Sequence, residues 1–105
     1  MKKISDSELE VLKVIWDKKQ ATSLDIIMEL AEFNWNNNTV RTLIKRLLEK
    51  EAIEIVEKKN KIFYYKAKID KEKYKYMKTV NLLNQLYGGN INNLLENYYK
   101  YDKNK

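Results

Sequence analysis

The chain has 105 residues, with no cysteine, no histidine, no proline and two glycines. Without Cys it forms no disulfide, thiolate metal site or cysteine nucleophile; without His it lacks the commonest general base and metal ligand, so the inventory argues against an enzyme and no cofactor or metal is expected. Basic residues outnumber acidic ones 21 to 15, a net charge of +6 spread evenly along the chain, which suggests an anionic partner.

The predicted elements begin at Ser5-Asp6-Ser7-Glu8, where the spacing of Ser5 and Glu8 is that of a capping box. Apolar residues at Leu9, Val11, Leu12, Val14, Ile15 and Trp16 follow as the broad stripe of a buried first helix, which Lys18-Lys19 ends. Ala21-Thr22 reads as a short link and Ser23 as the cap of a second helix, with Ile26, Ile27, Leu30 and Ala31 inward. Phe33 and Trp35 lie in a polar stretch, and Asn36-Asn37-Asn38 favours a turn or an N-cap.

The third helix is the most legible. Val40, Leu43, Ile44, Leu47 and Leu48 fall at i, i+3, i+4, i+7 and i+8, one face of a helix at 100° per residue. Asn38, Thr42, Lys45 and Glu49 point the opposite way, with Arg41 and Arg46 flanking them. Two β-prone runs follow, Ile53-Glu54-Ile55-Val56-Glu57 and Ile62-Phe63-Tyr64-Tyr65-Lys66, joined by Lys58-Lys59-Asn60-Lys61. This predicts a hairpin with a basic tip. Asp70 can cap a fourth helix running to about Tyr87, with Tyr76, Val80, Leu83 and Tyr87 along one stripe and Met77, Leu82 and Leu86 beside it. Gly88-Gly89 stops it. Ile91, Leu94, Leu95, Tyr98 and Tyr99 repeat the helical spacing in a fifth helix, and residues 101–105 are expected to fray. No apolar run is long enough to span a bilayer and the start lacks the apolar core of a signal peptide, so a cytoplasmic protein without membrane insertion is expected.

Three helices followed by a basic hairpin is the order of a winged helix-turn-helix. The expected fold is mainly α with a small β-hairpin: residues 1–68 a winged-helix DNA-binding domain, residues 69–105 a helical dimerisation region. The partner this implies is double-stranded operator DNA. A helix fits the major groove, where Arg41 and Arg46 can pair bidentately with guanine or phosphate and Thr42 can meet a thymine methyl or a phosphate. Lys45 shares that face. Asn38 and Thr39 can hold phosphate through side chains and free backbone amides at the helix start, and Lys58, Lys59 and Lys61 can follow the adjacent backbone or minor groove. The blander alternatives are a merely solvated polar face, a lysine-rich tip that only protects a sheet edge, and tryptophans and tyrosines that serve packing rather than base stacking. Two amphipathic helices beyond a finished domain leave an apolar stripe that a second copy would cover, so a homodimer through Tyr76, Val80, Leu83, Tyr87, Leu94, Leu95 and Tyr98 is expected on a palindromic site. A winged-helix protein-interaction module and a nonspecific architectural binder are the competing functions.

The run from Trp35 to Leu47 resembles the recognition-helix segment of the penicillinase repressor (BlaI/MecI/CopY) family. The opening Ile4-Ser5-Asp6-Ser7-Glu8 with Val11 and Trp16 resembles its first helix, Lys61-Ile62-Phe63-Tyr64-Tyr65 its wing strand, and Leu86-Tyr87-Gly88-Gly89 with Leu94 to Tyr98 its dimerisation region. The resemblance implies a dimeric repressor of β-lactam-resistance-type genes, released when a sensor protease cuts the dimerisation region; a repressor answering another inducing signal is the alternative. The family's cut falls at an Asn-aromatic bond, matched here by Asn97-Tyr98. Three departures stand out. Asn36-Asn37-Asn38 replaces the family's usual Ser-Pro-Lys, which lowers the expected phosphate affinity. The cysteine-rich hook of the copper-responsive branch is missing, which argues against copper sensing. The further helix that usually follows the fifth is not reached by Lys105, which bears on dimer strength.

Overall fold

A computed structural model describes residues 2–102; Met1 and residues 103–105, the end of the segment expected to fray, lie outside the described residues. The chain divides between Ile69 and Asp70 into two compact units.

In the first unit, α1 (Asp6–Lys18) starts at the reciprocal cap expected of it: the Glu8 amide donates to Ser5 Oγ at 3.1 Å and the Ser5 amide to Glu8 Oε1 at 2.9 Å. Val11, Leu12 and Ile15 are buried. Lys19, at φ 69°, turns the chain away. The cap of α2 (Ser23–Glu29) is Thr22 and not Ser23. Asp25 stands three residues after Thr22 and completes a second capping box, with the Asp25 amide on Thr22 Oγ1 and the Thr22 amide on Asp25 Oδ2. The residue three after Ser23 is Ile26, which cannot reciprocate.

Ile26 and Leu30 are buried and Ile27 half-buried, whereas Ala31, expected beside them, is exposed because it opens a 3-10 turn, Ala31–Phe33. Asn34 follows in the left-handed region, and the Phe33 and Trp35 rings stack with centroids 4.8 Å apart. Neither tryptophan is fully enclosed. Trp16 is half-buried and its indole N–H donates to the Ile69 carbonyl at 2.9 Å.

Asn36 caps α3 (Asn37–Glu49), which buries Val40, Leu43, Ile44 and Leu47; Leu48 is half-buried. The core is therefore a three-helix junction closed by Ile53 at the foot of the hairpin. One charge is inside it. Glu8 is 2% exposed and meets the ammonium of Lys50, the C-cap residue of α3, which also donates to the Lys3 carbonyl. Burial alone would push the Glu8 carboxyl up, but the Lys50 ammonium and the Ser5 amide outweigh it and hold it below the usual carboxylate range.

The wing is β1 (Ile53–Lys59) paired antiparallel with β2 (Ile62–Ala67). Ile55 pairs with Tyr65 and Glu57 with Tyr64, so Val56 is an extra residue, a bulge that breaks the alternation. The connecting loop is only Asn60-Lys61, both at positive φ, as a type I′ turn requires. Lys58 and Lys59, expected in the loop, belong to β1, because cross-strand pairing continues to Lys59–Ile62. A pairing that local patterning did not reveal joins Ala21 to Tyr65, with each amide donating to the other's carbonyl at 3.0 and 2.8 Å.

The second unit holds α4 (Lys71–Leu86) and α5 (Ile91–Tyr101). Asp70 and Asn90 cap them, and Gly88 and Gly89, both at positive φ, make the turn, with the Gly89 amide donating to the Leu83 carbonyl. Tyr101, expected to fray, closes α5.

Candidate nucleic-acid interface

The outward face of α3 follows from its buried face. With Val40, Leu43, Ile44 and Leu47 inward, Asn38, Thr39, Arg41, Thr42, Lys45 and Arg46 are all exposed. Asn38, Thr39, Thr42 and Arg46, with Leu43 at the floor, line one open groove of about 310 Å3. Asn38, Thr42 and Arg46 stand four residues apart, one turn above the next. Arg41 lies on the opposite flank, close enough to the Tyr65 phenol of β2 to oppose electrostatically the upward push of burial on that group.

The helix start differs from expectation in one respect. The amides of Asn38 and Thr39 are not free for phosphate: Asn38 N–H donates to Asn36 Oδ1 at 2.7 Å and Thr39 N–H to the Asn36 carbonyl at 2.9 Å. Asparagine at the N-cap has drawn them inward, which leaves the Asn38 and Thr39 side chains for an outside ligand. The Thr42 hydroxyl is spoken for as a donor, since it reaches the Asn38 carbonyl at 2.9 Å. It keeps its acceptor lone pairs and its methyl.

The wing lysines are exposed but do not form one cluster. Successive strand residues point to opposite faces, so Lys58 and Lys59 part company. Lys58 Nζ sits 5.4 Å from the Phe63 ring centroid, Lys59 is on the face of Ile62, and Lys61 occupies the turn. A type I′ turn prefers glycine at its second central position. Lysine there carries a conformational cost that the hairpin does not need, the kind of local strain found at working positions. Sequence reasoning places Tyr65, Ile55, Val56, Ile62 and Phe63 in the strands but reveals neither the pairing of Tyr65 with Ala21 nor that the other four stay uncovered.

In the second unit, Val80, Leu83, Tyr87 and Leu94 are half-buried, whereas Tyr76, 72% exposed, and Leu95, Tyr98 and Tyr99 are uncovered, with Leu82 and Leu86. The Tyr98 and Tyr99 rings meet edge to face, 5.5 Å apart. Asn97 accepts from the Tyr87 hydroxyl at 3.0 Å, and the Asn97–Tyr98 bond lies within α5. Among the described residues no three His, Cys, Asp or Glu side chains are grouped to hold a metal ion, and no helix is long and apolar enough to cross a membrane.

Comparison with known proteins places this geometry. Residues 4–105 match the family described as Penicillinase repressor. The chain is 36% identical over 101 residues to the penicillinase repressor of Bacillus licheniformis, covering 95% of this chain and 78% of that protein. It is 40% identical over 96 residues to the methicillin resistance regulatory protein MecI of Staphylococcus aureus, covering 90% and 77%. Two solved structures resemble it at 38% identity, each covering 70% of this chain and 94% of the other. They are the DNA-binding domain of the repressor BlaI, with a TM-score of 0.60, and the monomeric Bacillus licheniformis BlaI in complex with the blaP half-operator, with a TM-score of 0.57.

Proposed function

Because the chain belongs to the penicillinase repressor family, we propose that it represses transcription by binding operator DNA, with α3 in the major groove and the wing on the neighbouring backbone. The observation that carries this reading is the exposed groove of Asn38, Thr39, Thr42 and Arg46 on a helix held rigidly by its buried face, in a fold similar to one solved on a half-operator. Such a face offers a side-chain amide, a guanidinium and threonine methyls, the group types that sequence readout uses. The positions assigned to DNA are Asn38, Thr39, Arg41, Thr42, Lys45 and Arg46 on α3, with Lys58, Lys59 and Lys61 on the wing.

The second unit supplies the assembly. Its uncovered leucines and tyrosines suit a second copy of the same surface, and a twofold dimer presents two reading helices to a palindrome. Release by a sensor protease follows from the family resemblance. A cut at Asn97-Tyr98 would require local unwinding of α5 and would remove Tyr98, Tyr99 and Tyr101 from the dimer surface. Resistance-type genes are the matching targets, given the names of the relatives.

Competition binding against random duplex at physiological salt tests the reading. A repressor holds its operator roughly 10³-fold or more tighter, and Arg41→Ala reduces that affinity by about 1–3 kcal/mol with no change in folding. Equal affinity for operator and random duplex would point to a nonspecific binder, and no affinity for either to a protein-interaction module.

A further inference from the structure

The wing carries a surface that phosphate contacts alone do not explain. Cross-strand partners share a face of a hairpin, so Lys58 with Phe63 and Ile55 with Tyr65 lie on one side. At the foot of the hairpin that side is covered: Ile53 and Tyr65 are buried. Toward the turn it is not, and Ile55 is 43% and Phe63 40% exposed. The Arg41 guanidinium of α3 acts electrostatically on the Tyr65 phenol, which belongs to this same face.

We infer that the wing face bearing Ile55, Lys58 and Phe63 is an apolar contact surface for duplex DNA, closing on the deoxyribose edges beside the base pairs that α3 faces. The chemistry matches in detail. The wall of a DNA groove alternates apolar sugar edges with phosphates a few ångströms away, and this face pairs an aromatic ring with an ammonium 5.4 Å above it, with Lys61 at the adjoining turn. Sugar contacts of this kind add affinity without releasing counterions, whereas lysine–phosphate contacts add a salt-dependent share. The inference rests on the operator-binding reading and adds apolar sugar contacts to the lysine–phosphate contacts assigned to the wing there.

The test uses the full chain and a duplex that it selects from a randomised library, titrated across a series of salt concentrations. Phe63→Ala is expected to bind about tenfold more weakly at every salt concentration, giving a log–log line parallel to that of the unaltered protein. Phe63→Leu, which keeps an apolar group at the same place, is expected to recover most of the loss. Thermal melting of both variants should match the parent, since the ring lies at the uncovered end of the hairpin. A Phe63→Ala variant that binds like the parent, or one whose salt slope changes, overturns the proposal: the first leaves the apolar face to some other macromolecule, the second makes the ring a mere support for Lys58. If the unaltered chain selects no duplex, operator binding itself fails and this proposal with it, a result distinct from either variant outcome.

Discussion

The two units meet the demand for apolar burial in different ways. From Ile4 to Ile53 the first hides most of its large aliphatic side chains within itself, with Val11, Leu12, Ile15, Ile26, Val40 and Leu47 fully enclosed and Leu24 and Met28 left in solvent. The second leaves Leu82, Leu86, Ile91, Leu95, Tyr98 and Tyr99 in solvent, and α5 buries none of its residues. A self-sufficient core fixes the geometry of α3 and the wing, as a reading surface needs. An uncovered apolar surface has the opposite virtue: its stability depends on the concentration of whatever covers it, so assembly there can be controlled. The division of labour proposed for this chain, reading in one unit and doubling in the other, follows from that contrast.

The contrast breaks most sharply if the first unit tolerates damage to its core. Leu47→Ala leaves a cavity in the core and should reduce stability by about 2–5 kcal/mol in urea unfolding, independent of protein concentration. A concentration-dependent loss would mean that the two units share one core. Smaller in size is the effect of the one charge inside the first unit. Glu8→Gln removes the partner of Lys50 and should lower stability by about 1–3 kcal/mol at neutral pH. Because the folded-state carboxyl titrates below its ordinary range, the stability it confers is present above that range and is lost as pH falls through the folded value. Thermal melts should therefore show the parent and the Glu8→Gln variant drawing together in acid.

The smallest effect is the most discriminating. Lys61→Gly relieves a positive-φ lysine and should stabilise the hairpin by about 0.4–1 kcal/mol. The same change should flatten the salt dependence of DNA binding by roughly 0.9, the share of one phosphate contact. A gain in melting temperature together with a shallower salt slope would mark this lysine as kept for its ligand and not for the fold.

Much of this architecture was legible in the sequence, and the gaps have physical reasons. The buried face of α3 and the cap at Ser5 are set by residues three and four apart, which a sequence displays directly. Intrinsic N-cap preference favours Ser23 over Thr22 as the cap of α2; what decides for Thr22 is the reciprocal carboxylate of Asp25. The wing lysines were visible as charges, but their parting onto opposite faces depends on the strand reaching Lys59, and that in turn on a two-residue turn with two positive φ values. The Glu8–Lys50 pair and the Ala21–Tyr65 bridge join residues more than forty positions apart, which no local pattern announces. On α3, spacing told which side chains are outward, whereas the capture of the Asn38 and Thr39 amides by Asn36 is a matter of hydrogen-bond geometry.

One measurement bears most directly on the division of labour. Leu83, half-buried on α4, is replaced by aspartate, and the variant and parent are compared on a half-site duplex and on the full palindrome, with sedimentation run in parallel. A charge in a covered apolar stripe costs several kcal/mol, so the variant should sediment as a monomer while its first unit keeps its melting transition. On the half-site the two proteins should bind alike. On the full palindrome only the parent should gain the large increment that linking two readers provides. A variant that matches the parent on the palindrome, or that loses the half-site as well, would contradict the account.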